Sequence, residues 1–425
     1  LKSLMFGNTI YGPIGIVMGS VLWTFPHVLV ILVAAFSLSD ARLYESAQVL
    51  KAGRWRIFRT VTLPGAVYGI ISAVMVAFIL VITDFGVPKV IGGNYNVLST
   101  DIYKEVVGQQ NFSMGAVVSV VLLMPAVAAF LIDRQVKKRQ RTAMSSQFVP
   151  YTPKKDRWVD LVALAYCSLI AIVTLGIVGM AQYASLVKFW PYNLSLTFDH
   201  YQFNVAGVGW ENFFNSLKLA LAVSAFGTTA ALIGAYTIEK SKTAPSLRTV
   251  VGGFSMIPIA VPGLVLGLSH LMFINHPDNP LQVLYGGFTI LIASTIVHFY
   301  TVSHLTATSA LRQIDPEMEG VSLSLKVPLY KSFFRVTLPI SIPVLLEISI
   351  YLFLASMTTV SGIIFLYGSE TKVASVAAIH LDEMGESAAA AAMGMLIVYA
   401  CVIVRLLHLG FGAWLIRRSQ AWRVR

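Results

Sequence analysis

"RIFRTVTLP" (residues 56–64) and "KSFFRVTLP" (residues 331–339) decide how this chain is read, because they are nearly the same sentence written twice. Superposed at an offset of 275 without gaps, 40–64 and 315–339 share eight identities: Asp40/Asp315, Leu50/Leu325, Lys51/Lys326, Phe58/Phe333, Val61/Val336, Thr62/Thr337, Leu63/Leu338 and Pro64/Pro339. Such a period is far too long for a solenoid unit and marks a duplicated domain.

The surroundings of the repeat are those of a membrane protein. The 425 residues are 56% hydrophobic and only 12% charged, about half the charge a soluble domain carries. Nine apolar stretches are long enough to cross about 30 Å of hydrocarbon: 9–36, 64–88, 113–133, 158–182, 213–239, 247–273, 284–309, 340–365 and 389–416. The fold class is therefore all-α and polytopic. Cys167 and Cys401 lie in apolar runs without disulfide or metal spacing.

Of 31 Lys and Arg residues, 24 fall in 40–63, 134–157, 240–249, 310–339 and 417–425, and the four alternating loops hold four. The net charge of +11 is thus a positive-inside bias rather than a nucleic-acid face, and it puts both repeats, the linker and the C-terminus in the cytoplasm. The basic linker 134–157 separates units 1–133 and 158–425. The second unit has three spans ahead of its repeated part and the first has none, and residue 1 is Leu; the first unit reads as lacking its first three helices.

Within each repeat the spacing predicts a short helix. Leu43, Ala47 and Leu50, and likewise Met318, Ser322 and Leu325, fall at i, i+4, i+7 on one weakly apolar face. Gly53 and Pro328 are expected to break that helix. A second short helix carries Phe58 and Val61, or Phe333 and Val336, and Pro64 and Pro339 open the next membrane helix. The pattern is that of a docking element used twice.

"ESAQVLKAGRWRIFRTVTLP" (45–64) resembles the EAA loop of bacterial ABC importer permeases, with Glu45, Ala47, Leu63 and Pro64 in matching positions. "DPEMEGVSLSLKVPLYKSFFRVTLP" (315–339) is similar, except that Gly320 stands where the family has Glu and Glu319 is one residue early. Both copies carry Lys, at Lys51 and Lys326, where the family usually has Gly. "IPIAVPGLVLGLSHL" (257–271) looks like the third helix of a permease half.

The resemblance implies two fused permease halves in the bacterial inner membrane. Its coupling residues are Glu45, Ala47, Lys51, Gly53, Phe58, Leu63 and Pro64, with Glu319, Lys326, Pro328, Phe333, Leu338 and Pro339 in the second copy. It also implies two cytoplasmic ATPase subunits and a periplasmic or extracellular solute-binding protein as partners. The chain itself is expected to bind no cofactor and to catalyse no reaction, ATP being used by the partner. No GxxxxGK[ST] phosphate loop is present. The run 356–395 resembles 2-aminoethylphosphonate permeases; ferric iron is the alternative, followed by polyamines, sulfate or thiamine. A secondary transporter is the rival class, to be separated by ATP dependence.

Asp84 at the end of its span is either a pathway acid or a helix cap beside Lys89. Thr358, Thr359 and Ser361 occupy the matching part of the second unit. Hydroxyls there line a pathway or join helices. Glu347 is expected to face a cavity or a buried partner, and His270, His298 and His304 to be interhelical rather than metal-binding.

Overall fold

The computed structural model describes residues 10–37, 39–143, 149, 151, 156–203, 207–240, 245–314, 324 and 327–419. Two compact units are present, 1–179 and 180–425, and each is taken by itself.

In the first unit α1 (Pro13–Ser37) is a membrane-length helix. Then come α2 (Ala41–Val49), α3 (Arg54–Ile57), a π turn (Phe58–Thr62) and α4 (Leu63–Gly65). The chain next bends by 64° into α5 (Val67–Thr83). Two short helices, α6 (Gly86–Ile91) and α7 (Leu98–Tyr103), lead to the long α8 (Phe112–Ala143). α5 packs on α1 and α8. Small residues permit this: a methyl on Gly69 would overlap Ala35 of α1. Ser72 donates a 2.5 Å hydrogen bond to Asp133, tying α5 to α8 with both side chains buried.

α9 (Arg157–Leu186) runs on into a small antiparallel hairpin, β1 (Val187–Phe189) and β2 (Asn193–Leu196), which pairs Val187 with Leu196 and Phe189 with Asn193. Apart from this short hairpin the described residues form a helical frame, in keeping with the all-α polytopic expectation. Beyond the hairpin, α10 (Trp210–Lys240) is packed by α13 (Phe288–Arg312) and α15 (Leu338–Thr358). α11 (Pro245–Phe254) and α12 (Gly263–Ile274) form one bent pair. It is bent by 111° at the segment holding Pro258 and Pro262, each of which removes a helical N–H. α14 (Leu329–Ser332) precedes α15; α16 (Ala374–Glu383) and α17 (Ser387–Ser419) complete the unit. Its core joins Phe353 and Met357 of α15 to Ala374, Ala377 and Leu381 of α16 and Ala392 and Met393 of α17.

Among the described residues seven helices are long and apolar enough to span a membrane, and up to nine spans result if each bent pair counts as one. They coincide with the nine stretches read from the sequence. The duplication extends beyond the repeated loop. Added to 275, the bounds of α1 give those of α13, those of α3 give α14, the π turn gives Phe333–Thr337, and the ends of α5 and starts of α8 give the end of α15 and start of α17.

Candidate functional site

Asp40 starts the first loop. Its carboxylate accepts from the backbone N–H of Arg42 (3.1 Å) and pairs with the Arg42 guanidinium at 3.0 Å. That side-chain bond holds the Asp40 carboxyl below its ordinary value. The face that α2 buries is Tyr44 and Ala47. Tyr44 Oη donates to Thr62 Oγ1 at 2.9 Å, and its ring lies flat on Tyr151, centroids 4.0 Å apart. Leu43 and Leu50, expected on an inner face with Ala47, are instead 55% and 80% exposed. The reason is reach: the aromatic ring of Tyr44 fills the space against the π turn, and the leucines are rotated outward.

The helix break also differs from the expectation. α2 is followed by its C-cap Leu50 and then by Lys51, whose φ of 53° is left-handed. Ala52 N–H donates to Ala47 O (3.0 Å) and Lys51 N–H to Gln48 O (2.9 Å), the two bonds of a Schellman cap. A lysine thus occupies the conformation for which glycine is preferred. Gly53 is N-cap of α3, with an ordinary φ of −67°. Pro328 does the same for α14, its carbonyl accepting from Ser332 N–H at 3.2 Å. Gly53 thus opens the second helix rather than closing the first; Pro328 opens α14, and the helix expected ahead of it falls on residues outside the described ones. Glu319 and Lys326, with Met318, Ser322 and Leu325, lie outside the described residues.

Both copies then widen into a π turn, closed by Leu63 N–H to Phe58 O and by Leu338 N–H to Phe333 O. Pro64 and Pro339 supply the cause. A proline ring clashes with the carbonyl four residues earlier and offers it no N–H, so the turn ahead of it relaxes to a wider one. The outer side of the first loop is apolar around one acid. Val49 and Trp55 are 82% and 73% exposed, Trp55 stacks on Phe58, and Glu45 stands exposed beside them with no ion pair among the described residues. In the second copy Phe333 packs edge-on against Tyr236 of α10 (4.8 Å), leaving Tyr330 and Phe334 exposed.

Val149, Tyr151 and Asp156 of the linker are joined to the first loop. Ala41 N–H donates to Val149 O (2.9 Å) and Tyr151 N–H to Ser39 O (3.0 Å), while Asp156 pairs with Arg54 at 3.0 Å. The Asp156 carboxyl is held below its ordinary value by the backbone N–H of Trp158 and then by Arg54. Nothing in the linker's basic, polar composition pointed to this grip.

At the far ends of α5 and α15, Asp84 and Thr359 are equivalent C-caps. The Asp84 carboxylate accepts from the N–H groups of Gly86 (3.1 Å) and Val87 (3.3 Å), so it caps α6, and the Lys89 ammonium lies over the Tyr103 ring at 4.4 Å. Ser99 Oγ donates to Asp84 O and Ser375 Oγ to Thr359 O, each at 2.6 Å: one bond conserved between copies. Thr359 is buried; the Thr358 hydroxyl bonds back to Leu354 O. Ser361 meets the bent pair, where a methyl on Gly263 would overlap its Oγ and touch the His298 ring. Ser294 Oγ joins His270 Nδ1 (3.2 Å) to Gly362 O (2.9 Å), and His304 stacks on Tyr300. Glu347 pairs with Arg405 of α17 at 3.3 Å, both side chains partly exposed. Asp84 belongs to the first unit and Thr358, Thr359 and Ser361 to the second. Asn212 and Asn215, which the sequence did not single out, hold the carbonyls of Lys372 and Glu370.

A multi-pass helical frame carrying a duplicated helix–π turn–helix loop defines a membrane permease. Residues 3–142 match the family described as binding-protein-dependent transport system inner membrane component, and the chain belongs to that family. It is 33% identical over 111 residues to the putative ferric transport system permease-like protein AfuB of Escherichia coli K12, covering 26% of this chain and 89% of that protein. It is 26% identical over 425 residues to the ferric transport system permease protein FbpB of Actinobacillus pleuropneumoniae, covering 97% of this chain and 61% of that protein. The putative 2-aminoethylphosphonate transport system permease protein PhnV of Salmonella choleraesuis is 23% identical, covering 62% of this chain and 98% of that protein. The chain spans about three-fifths of the length of the FbpB relatives it matches. Its fold is similar to a bacterial ABC transporter involved in alginate import, with TM-score 0.50, 17% identity and coverage of 60% of this chain and 95% of that one.

Proposed function

We propose that this permease forms the translocation pathway of an ATP-driven importer fed by a solute-binding protein. The observation that carries the proposal is the doubled loop: two copies share the same π turn and proline, and the first presents an exposed acid among exposed apolar side chains. Each copy grips one cytoplasmic ATPase subunit, and the chain itself transports without catalysing a reaction. The loops, linker and C-terminus lie in the cytoplasm, where the basic residues concentrate. A thiol at Val49→Cys is then shielded from impermeant reagents added outside cells, and one at Asp278→Cys reacts; the reverse pattern overturns the orientation.

Ferric iron is the first substrate reading, because the similarity to FbpB runs through 97% of this chain. The phosphonate reading, favoured by the run 356–395, stands second on the similarity to PhnV. Proteoliposomes holding the permease, its ATPase and its binding protein distinguish them: ATP-dependent uptake of labelled iron supports the first, of labelled 2-aminoethylphosphonate the second. Uptake that proceeds on an ion gradient without ATP would return the chain to the secondary transporters.

A further inference from the structure

We propose that the β1–β2 hairpin is a lipid anchor, lying in the headgroup layer beside the end of α9. The first observation is position. β1 begins at the residue after Leu186, the last of α9, and beyond β2 the Thr197 N–H returns to Leu186 O at 2.7 Å. Both ends of the hairpin are therefore fixed at the helix end. Strands of this length reach only about 13 Å, against a headgroup layer of roughly 5–8 Å on each side of the hydrocarbon, so the hairpin has no means of standing far from the membrane.

The second observation is surface. Phe189, Trp190, Tyr192, Leu194, Leu196 and Phe198 are each at least half exposed, and Tyr192 reaches 83%. Residues 187–198 contain one charge, Lys188, and no acid. Aromatic side chains with a polar edge, mixed with a lysine, are the composition favoured at membrane–water interfaces. The third is continuity. The most apolar stretch of α9 is wholly unburied, and this exposed apolar surface continues from it into the strands. The fourth is rigidity. His200 Nε2 lies 2.9 Å from Val187 O, Ser185 Oγ 2.9 Å from Tyr201 Oη, and Trp210 Nε1 donates to Tyr201 O. The hairpin is thus held on a fixed base rather than left as a free tip.

The test uses the full chain in nanodiscs of phosphatidylglycerol and phosphatidylethanolamine, with Cys167→Ser and Cys401→Ser. Spin labels are placed at Tyr192→Cys and, as a second site, Phe198→Cys. Ile172→Cys in α9 is the lipid reference and Asp278→Cys the water reference. The ratio of oxygen to nickel-chelate collision rates is expected to be several-fold above that at Asp278 and below that at Ile172. A ratio equal to that at Asp278 overturns the proposal. So does protection from both reagents that appears only on adding a solute-binding protein, which would make the hairpin a protein-docking surface instead.

Discussion

In the first copy of the loop the chain bends by 64° after Pro64, whereas in the second the π turn continues without a break into α15. The break falls two residues after the proline, at Ala66, whose ψ of 0° leaves the helical backbone; its equivalent, Ser341, lies inside α15. The surroundings differ as well. Linker residues hold the first copy through Tyr44 and Arg54, and α10 holds the second through Phe333. The local turn is therefore set by the shared letters, and its direction and attachment by the letters that changed.

The largest expected effect is on the acid that the two copies do not share at the aligned position. Glu45→Arg is predicted to lower ATPase activity stimulated by loaded binding protein by about tenfold or more, as loss of a paired interface charge costs about 2–5 kcal/mol. Glu319→Arg is expected to cost less. Equal loss in both variants would make the two docking sites equivalent; no loss in either would remove the loops from coupling altogether.

Next come the attachments. Tyr44→Ala removes a stacked ring and a hydrogen bond and is expected to destabilise the first loop by about 2–3 kcal/mol. Phe333→Ala, which removes an edge contact, should cost about 1 kcal/mol beyond lost area. Hydrogen exchange over 41–62 and 327–338 reads both. Faster exchange in the second loop than in the first would reverse the ranking.

A smaller contrast is expected with pH. Asp40 and Asp156 are depressed in the folded loop, so their contribution is present above the ordinary aspartate value of about 3.9 and is lost as pH falls below it. A spin label at Val49 should gain mobility on acidification below that value, while one at Phe334 does not. Identical responses would show that these two aspartates do not set the first loop's rigidity. The smallest effect is at the helix end. Lys51→Gly relieves a left-handed lysine and should stabilise the loop by about 0.5 kcal/mol; a decrease in thermal stability would mean the lysine side chain is itself engaged.

The spans and the second helix of each loop were legible because they rest on hydropathy and on proline, whose effects act within a few residues. Nine apolar stretches became seven helices and two bent pairs. The inner face of α2 was not legible: Leu43 and Leu50 have the right period, yet Tyr44 is chosen because Tyr151, more than a hundred residues away, supplies a ring to stack on. Periodicity reports that a helix has an apolar side; it carries no information about a distant partner. Gly53 misled in a related way, since glycine serves as an N-cap as well as a stop, and a lysine held the left-handed position. At the candidate pathway, Asp84 was read with both of its meanings, and its capping bonds to Gly86 and Val87 are backbone contacts that a sequence does not display.

The serine bonds at the far ends of α5 and α15 bear on where this protein tolerates added sequence. Fifteen positions separate Asp84 from Ser99 and sixteen separate Thr359 from Ser375, yet each pair closes at 2.6 Å. The intervening loop has changed length by one residue without moving either anchor. Its tip in the first unit, around Gly93 and Asn94, is exposed and turns through a positive φ. An epitope or a fluorescent-dye tag spliced there should leave the helices on both sides undisturbed, giving a handle for following the permease in living cells.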